Sequence, residues 1–122
     1  MNGVIWSRFV TVSCLAIQIL KSAREEHIMS YATVSHWTTT EWTDEIEAIA
    51  REKFVPLIMS VGASRVRMIR TGDLSFCVVT EYSDAKSAEA AQNKIAEIRS
   101  QAASELPMTM AEAHGGDIFA QG

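Results

Sequence analysis

The segment 64-SRVRMIRTGDLSFCVVTEY-82 decides the fold, because it reads as two strands joined by a tight turn. Two runs rich in β-branched and aromatic residues flank Gly72-Asp73, the residue pair a short hairpin turn favours. A turn centred there sets Arg70 opposite Ser75, Met68 opposite Cys77 and Val66 opposite Val79. Side chains alternate between the two faces of a strand. That register therefore gathers Val66, Met68, Cys77 and Val79 on one face. Arg65, Arg67, Ile69, Phe76, Val78, Thr80 and Tyr82 fall on the other. A one-residue slip would exchange the faces of a whole strand.

Working outward, each flank of the hairpin is a helix. In 43-TDEIEAIAREKFVPLIMSVG-62, Ile46, Ile49, Ala50, Phe54, Leu57, Ile58 and Val61 recur at helical spacing. Thr43 is placed to cap this helix, and Asp44, Glu45 and Glu47 sit near its positive end. Pro56 predicts a kink near Glu52–Val55, and Gly62 fits the left-handed position that ends a helix. After the hairpin, 84-DAKSAEAAQNKIAEIRSQAASEL-106 carries the stripe Ala88, Ala91, Ile95, Ile98, Ala102 and Leu106. Ser83 or Asp84 caps it and Pro107 stops it. Strand-like runs close both ends: 31-YATVSHW-37, and 108-MTMAEAH-114 with Gly115-Gly116 releasing the chain.

The order is βαββαβ. Right-handed β-α-β connections then lead to a ferredoxin-like α+β sandwich, with two helices on one face of a four-stranded antiparallel sheet. The other face is left uncovered. In the expected register it mixes Phe76, Val78, Ile69 and Tyr82 with arginines, whereas a solvated sheet face should be mostly polar. A second copy of the chain is the simplest cover, and pairing of the two sheets makes a shared barrel.

The remaining sequence sets bounds. The 122 residues, 48% hydrophobic and 21% charged, suit one folded domain over residues 29–122. Residues 1–28 read as an extension, either an extra helix or sequence upstream of a start at Met29. Its apolar run 9-FVTVSCLAIQIL-20 is shorter than the ~18 residues of a spanning helix, so no membrane association is expected. A net charge of −4 with no Lys/Arg run excludes a nucleic-acid partner. Cys14 and Cys77 form no metal-ligand spacing and read as free thiols of a cytoplasmic protein.

With the elements in place, the chain resembles the dimeric α/β barrel group that includes antibiotic-biosynthesis-monooxygenase-like proteins. The residues that carry the resemblance are 56-PLIMSVGA-63 closing the first helix and 69-IRTGDLSFCVVTEYSD-84 feeding the second. The resemblance covers about residues 31–114 and implies a homodimer enclosing a small apolar or aromatic ligand. It implies a cofactor-independent monooxygenase or isomerase acting on an aromatic or enolisable substrate. A non-catalytic carrier of an apolar acid, such as a fatty acyl compound, is the alternative; a simply packed accessory domain is the third.

The candidate residues are few. His36 has the chemistry of a general base, against the simpler reading of a strand-end residue. Trp37 offers an aromatic wall for a flat substrate, or plain packing. Since neighbours point to opposite faces, only one of the pair enters a given cavity. Arg65 and Arg67 could fork a carboxylate or enolate, or form salt bridges across the dimer. Phe76, Tyr82 and His114 complete the expected lining, with methionines such as Met68 and Met108 as adaptable filler. No metal site and no cofactor are expected. With Tyr31 placed beside His114, and His36 beside Met108, the two histidines stand at opposite ends of their strands.

Overall fold

The computed structural model describes residues 29–122; the expectations for residues 1–28 lie outside the described residues. Strand β1 (Tyr31–Thr39) is followed by helix α1 (residues 44–60), β2 (Arg65–Gly72), β3 (Ser75–Tyr82), α2 (Ala85–Glu105) and β4 (Met108–Asp117). The strands form one antiparallel sheet in the order β2-β3-β1-β4. This is the expected ferredoxin-like sandwich.

Helix α1 begins as the sequence dictates. Thr43 is extended, and its hydroxyl accepts a hydrogen bond from the Ile46 N–H at 3.1 Å. The expected kink takes a specific form: α-helix over Asp44–Ile49, a π-helical turn over Ala50–Phe54, then α-helix over Val55–Ser60. Pro56 lacks an N–H and crowds the carbonyl four residues back. The widened turn accommodates both defects, with the Val55 N–H reaching back five residues to the Ala50 carbonyl. Gly62, at φ +108°, ends the helix in a conformation costly for any residue with a Cβ. Helix α2 starts at Asp84, whose carboxylate accepts the Ser87 N–H at 2.7 Å.

Two registers differ from those read in the sequence. The hairpin turns at Asp73-Leu74, and Thr71 is an extra residue bulged from β2. Met68 therefore pairs with Val78, Val66 with Thr80 and Arg70 with Phe76. This is the one-residue slip that exchanges faces. Phe76, Val78, Thr80 and Tyr82 join Val66 and Met68 beneath the helices, and Cys77, Val79 and Glu81 join Arg65, Arg67 and Ile69 on the uncovered face. The bulge is held locally. The Arg70 side chain donates to the carbonyls of Gly72 and Asp73, and the Thr71 and Ser75 hydroxyls are 2.9 Å apart. The gain is burial: Phe76 and Tyr82, the largest side chains of β3, reach the core at 8% and 2% exposure.

The last strand is longer than expected and runs through Gly115-Gly116 to Asp117. Tyr31 pairs with Asp117 rather than with His114. Gly115 is a close-approach position. A Cβ there would meet the Tyr31 hydroxyl at 2.6 Å, so the ring lies across the glycine instead of ending the strand.

The core lies between the sheet and the helices. Trp37, Phe54, Ile58, Phe76, Ala91, Ile98, Ala102 and Leu106 are buried there. No helix among the described residues is long and apolar enough to cross a membrane.

Candidate functional site

Among the described residues, clefts open between the helices and the sheet. One of about 740 Å³ lies between α2 and the β1/β3 end of the sheet, and Tyr31, Tyr82, Gln92, Ile95, Arg99 and Asp117 are among its walls. That volume falls in the range of small-molecule sites. At the opposite end a cleft of about 320 Å³ is bounded by Trp42, Met68, Arg70, Phe76 and Met108. Between them a void of about 60 Å³ has wholly apolar neighbours apart from Arg99, and it shares Met68, Phe76 and Met108 with the smaller cleft. Arg99 borders both the large cleft and this void.

Arg99 and Tyr82 give the large cleft its electrostatics. Helix α2 positions Arg99 through the spacing Ala88, Gln92, Ile95, Arg99, which places all four side chains along the cleft. Arg99 is half-buried and makes no salt bridge among the described residues. Burial pulls its guanidinium below the ordinary value, and the nearby Tyr82 acts the other way. Burial likewise pushes the Tyr82 hydroxyl up, opposed by the Arg99 charge. At neutral pH the cleft therefore presents a neutral phenol that can donate a hydrogen bond and a guanidinium with no carboxylate in salt-bridge contact among the described residues, although Asp84, Glu89 and Asp117 stand elsewhere along its walls. The arrangement suits an anionic oxygen: a carboxylate, an enolate or a phenolate.

At the smaller cleft the aromatics are stacked. Trp37 and Phe76 lie nearly parallel at 6.0 Å, and Trp42 meets Phe76 edge-on at 5.8 Å. The Arg70 guanidinium covers the Trp42 ring at 4.3 Å. Trp42 also donates from its indole nitrogen to Glu47. The strand-to-helix junction 35-SHWTTTEW-42 thus supplies an aromatic floor from both its ends.

The residues singled out in the sequence divide between the two faces of the sheet. Trp37, Phe76 and Tyr82 lie on the helix side, not facing a partner sheet. Trp37 is buried at 4% exposure, with its indole N–H donating to the Ser35 hydroxyl at 2.8 Å. His36, Arg65, Arg67 and His114 lie on the uncovered face. His36 therefore does not serve the helix-side clefts as a base. Arg67 pairs with Glu81 of its own chain at 3.7 Å. His36 and His114, expected at opposite strand ends, have ring centroids 6.1 Å apart. The three-residue extension of β4 moves His114 opposite Val34 and Glu112 opposite His36.

The sequence reading missed Arg99, Gln92, Tyr31 and Trp42. A signal for the first two was present. Arg99 and Gln92 occur at helical spacing within the apolar stripe of α2, and a cation inside such a stripe is unusual enough to mark a site.

No family model matches the sequence, and no curated protein matches it. Solved structures do. A Nitrosomonas europaea protein of unknown function superposes with a TM-score of 0.60 at 18% identity, covering 79% of this chain and 95% of that one. SnoaB, a cofactor-independent oxygenase from Streptomyces nogalater, superposes with a TM-score of 0.52 at 13% identity, covering 77% and 95%. What they share is the ferredoxin-like fold. A Chloroflexus aurantiacus protein provisionally classed as an antibiotic biosynthesis monooxygenase agrees, with a TM-score of 0.51 at 11% identity, covering 76% and 96%. The resemblance to antibiotic-biosynthesis-monooxygenase-like proteins thus holds in the fold. Identities this low carry no residue roles across.

Proposed function

We propose that the chain binds a small aromatic or enolisable compound in its helix-side clefts and acts on it as a cofactor-independent monooxygenase or isomerase. The observation that carries this reading is Arg99, a half-buried cation beside Tyr82 with no carboxylate in salt-bridge contact among the described residues. An enolate or phenolate oxygen formed from the substrate would complete the pair, with Arg99 supplying charge and Tyr82 a hydrogen bond. The fold shared with a cofactor-independent oxygenase is supporting analogy. The carbanion comes from the substrate's own acidity. An anthrone that loses its ring-methylene proton and adds dioxygen at that carbon gives a quinone once water leaves.

Oxygen uptake with a panel of anthrones and quinols tests the reading. Enzyme-dependent uptake matched by quinone formation is expected; a flat oxygen trace across the panel counts against it. The carrier of an apolar acid remains the second reading. What favours it is the apolar void beyond Arg99, where Trp37, Phe54, Ile58 and Leu106 could receive a tail. In that case native mass spectrometry of the purified protein shows a retained lipid-like mass with no oxygen uptake.

The homodimer belongs to the same proposal. The uncovered face has lost Phe76, Val78 and Tyr82 to the core. It still carries Ala32, Val34, Val79 and Ile69 as an apolar strip, with Ile69 45% exposed. Pairing over this strip predicts sedimentation at twice the chain mass at micromolar concentration, and a shift to single chains in Val79→Arg. A wild-type protein that sediments as single chains would remove the dimer. It would leave the helix-side clefts untouched.

A further inference from the structure

The uncovered face carries a second constellation that the proposed function does not use. His36, Glu112 and His114 each offer a ligand atom, and all three atoms lie within 4.8 Å of one another. From this geometry we propose that the three side chains form a divalent metal site of the zinc class.

The backbone builds the cluster in a specific way. His36 on β1 stands directly opposite Glu112 on β4, and His114 lies two residues along β4 on the same face. The register between these strands shifts between His36 and Trp37, where Ala111 is the extra residue. Without that bulge β4 would continue in its starting register, pairing Ala111 with His36. Glu112 and His114 would then turn toward the helices. The bulge re-aims both onto the face that holds His36, which is a recurring use of bulges. It sits one residue from Glu112.

The chemistry is that of a cation site. Two imidazoles and one carboxylate are a donor set used by zinc, and by ferrous iron where positions are left open. Glu112 has His114 as its only ion-pair partner among the described residues, at 3.5 Å. Arg65 and Arg67 lie on β2, with two strands between them and β4, and among the described residues no guanidinium pairs with the Glu112 carboxylate. Donors bound tetrahedrally to one ion at ~2.1 Å stand roughly 3.4 Å apart; His114 and Glu112 already stand at 3.5 Å, and the full set, within 4.8 Å, needs only a small closure. His36 is half-buried between the flanking strands, while Glu112 and His114 are exposed and free to close on the ion. All three ligands come from one chain, so the site needs no residue of a partner copy. Because the same face is proposed to pair, sedimentation is recorded beside each titration, which tells a failure of metal binding from a failure of the dimer.

The test uses the full chain stripped with chelator and titrated with Zn²⁺ by calorimetry, then with Co²⁺ followed by visible absorption. One equivalent per chain is expected with Zn²⁺, and Co²⁺ should give ligand-field bands of a site with nitrogen and oxygen donors. His36→Asn and His114→Asn should each weaken Zn²⁺ binding about a hundredfold or more, since even outer partners of a metal ligand are worth 10- to 100-fold. Glu112→Gln should weaken it in the same direction. His27→Asn, in the extension, should leave the binding unchanged. Far-UV circular dichroism of each metal-free variant confirms that the fold is kept; if His36→Asn disturbs it, the exposed His114→Asn and Glu112→Gln carry the comparison. The proposal is overturned by the absence of saturable binding, or by equal affinity in His114→Asn and the unaltered protein. It is equally overturned if His27→Asn abolishes binding.

Discussion

Trp37→Ala is expected to lower the stability of the domain by about 3–5 kcal/mol, the usual cost of emptying a large aromatic site in a packed core. Three features put it at the upper end. The ring is 4% exposed, it is stacked on Phe76, and its N–H satisfies the buried Ser35 hydroxyl. Removing the indole leaves a cavity next to an existing void and strands the Ser35 oxygen without its donor. Urea unfolding followed by circular dichroism measures the loss. A change under about 1 kcal/mol would instead indicate a side chain facing solvent or a partner. Trp37→Phe, which keeps most of the stack, should fall well short of the alanine effect.

That prediction depends on which face Trp37 occupies, and the sequence held this information only in part. Element order, the Thr43 cap, the Gly62 stop and the disturbance at Pro56 were all legible, because each rests on local chemistry. Register was not. Gly72-Asp73 is a strong turn signal, but the chain turns one residue later. Placing Phe76 and Tyr82 under the helices is worth more than a favoured turn pair, and the Thr71 bulge absorbs the difference. Gly115-Gly116 carries the opposite lesson. Two glycines ordinarily break a strand, whereas Gly115 is needed here so that Tyr31 can lie across it. Both errors have one physical origin: bulk elsewhere in the fold outweighed a local preference. Each moved site residues, the first taking Tyr82 and Phe76 off the uncovered face and the second bringing His114 to His36. Arg99 was hidden for a different reason. A stripe counted only in apolar residues passes over the one cation that shares its spacing.

Replacing that cation should separate function from stability. Arg99→Met keeps the length of the stem and its packing beside Ile95 while removing the charge. If Arg99 holds the anionic oxygen of the substrate, kcat/KM for oxygen uptake should fall about 10²–10³-fold, the usual loss when one preorganised donor to a developing oxyanion is removed. Folding stability should move the other way. Burial disfavours the charged guanidinium, and no carboxylate among the described residues is in salt-bridge contact to offset that cost, so the apolar side chain should be tolerated or stabilising. A structural arginine gives the reverse pattern, because breaking a satisfied pair lowers stability. Arg99→Lys should recover part of the activity, since it restores the charge without the planar fork. Tyr82→Phe, which removes one hydrogen-bond donor but no charge, should cost less than Arg99→Met in kcat/KM. A fully active Arg99→Met enzyme, or one that unfolds at lower urea than the unaltered chain, would show that this guanidinium props the helix against the sheet and does not wait for an anion.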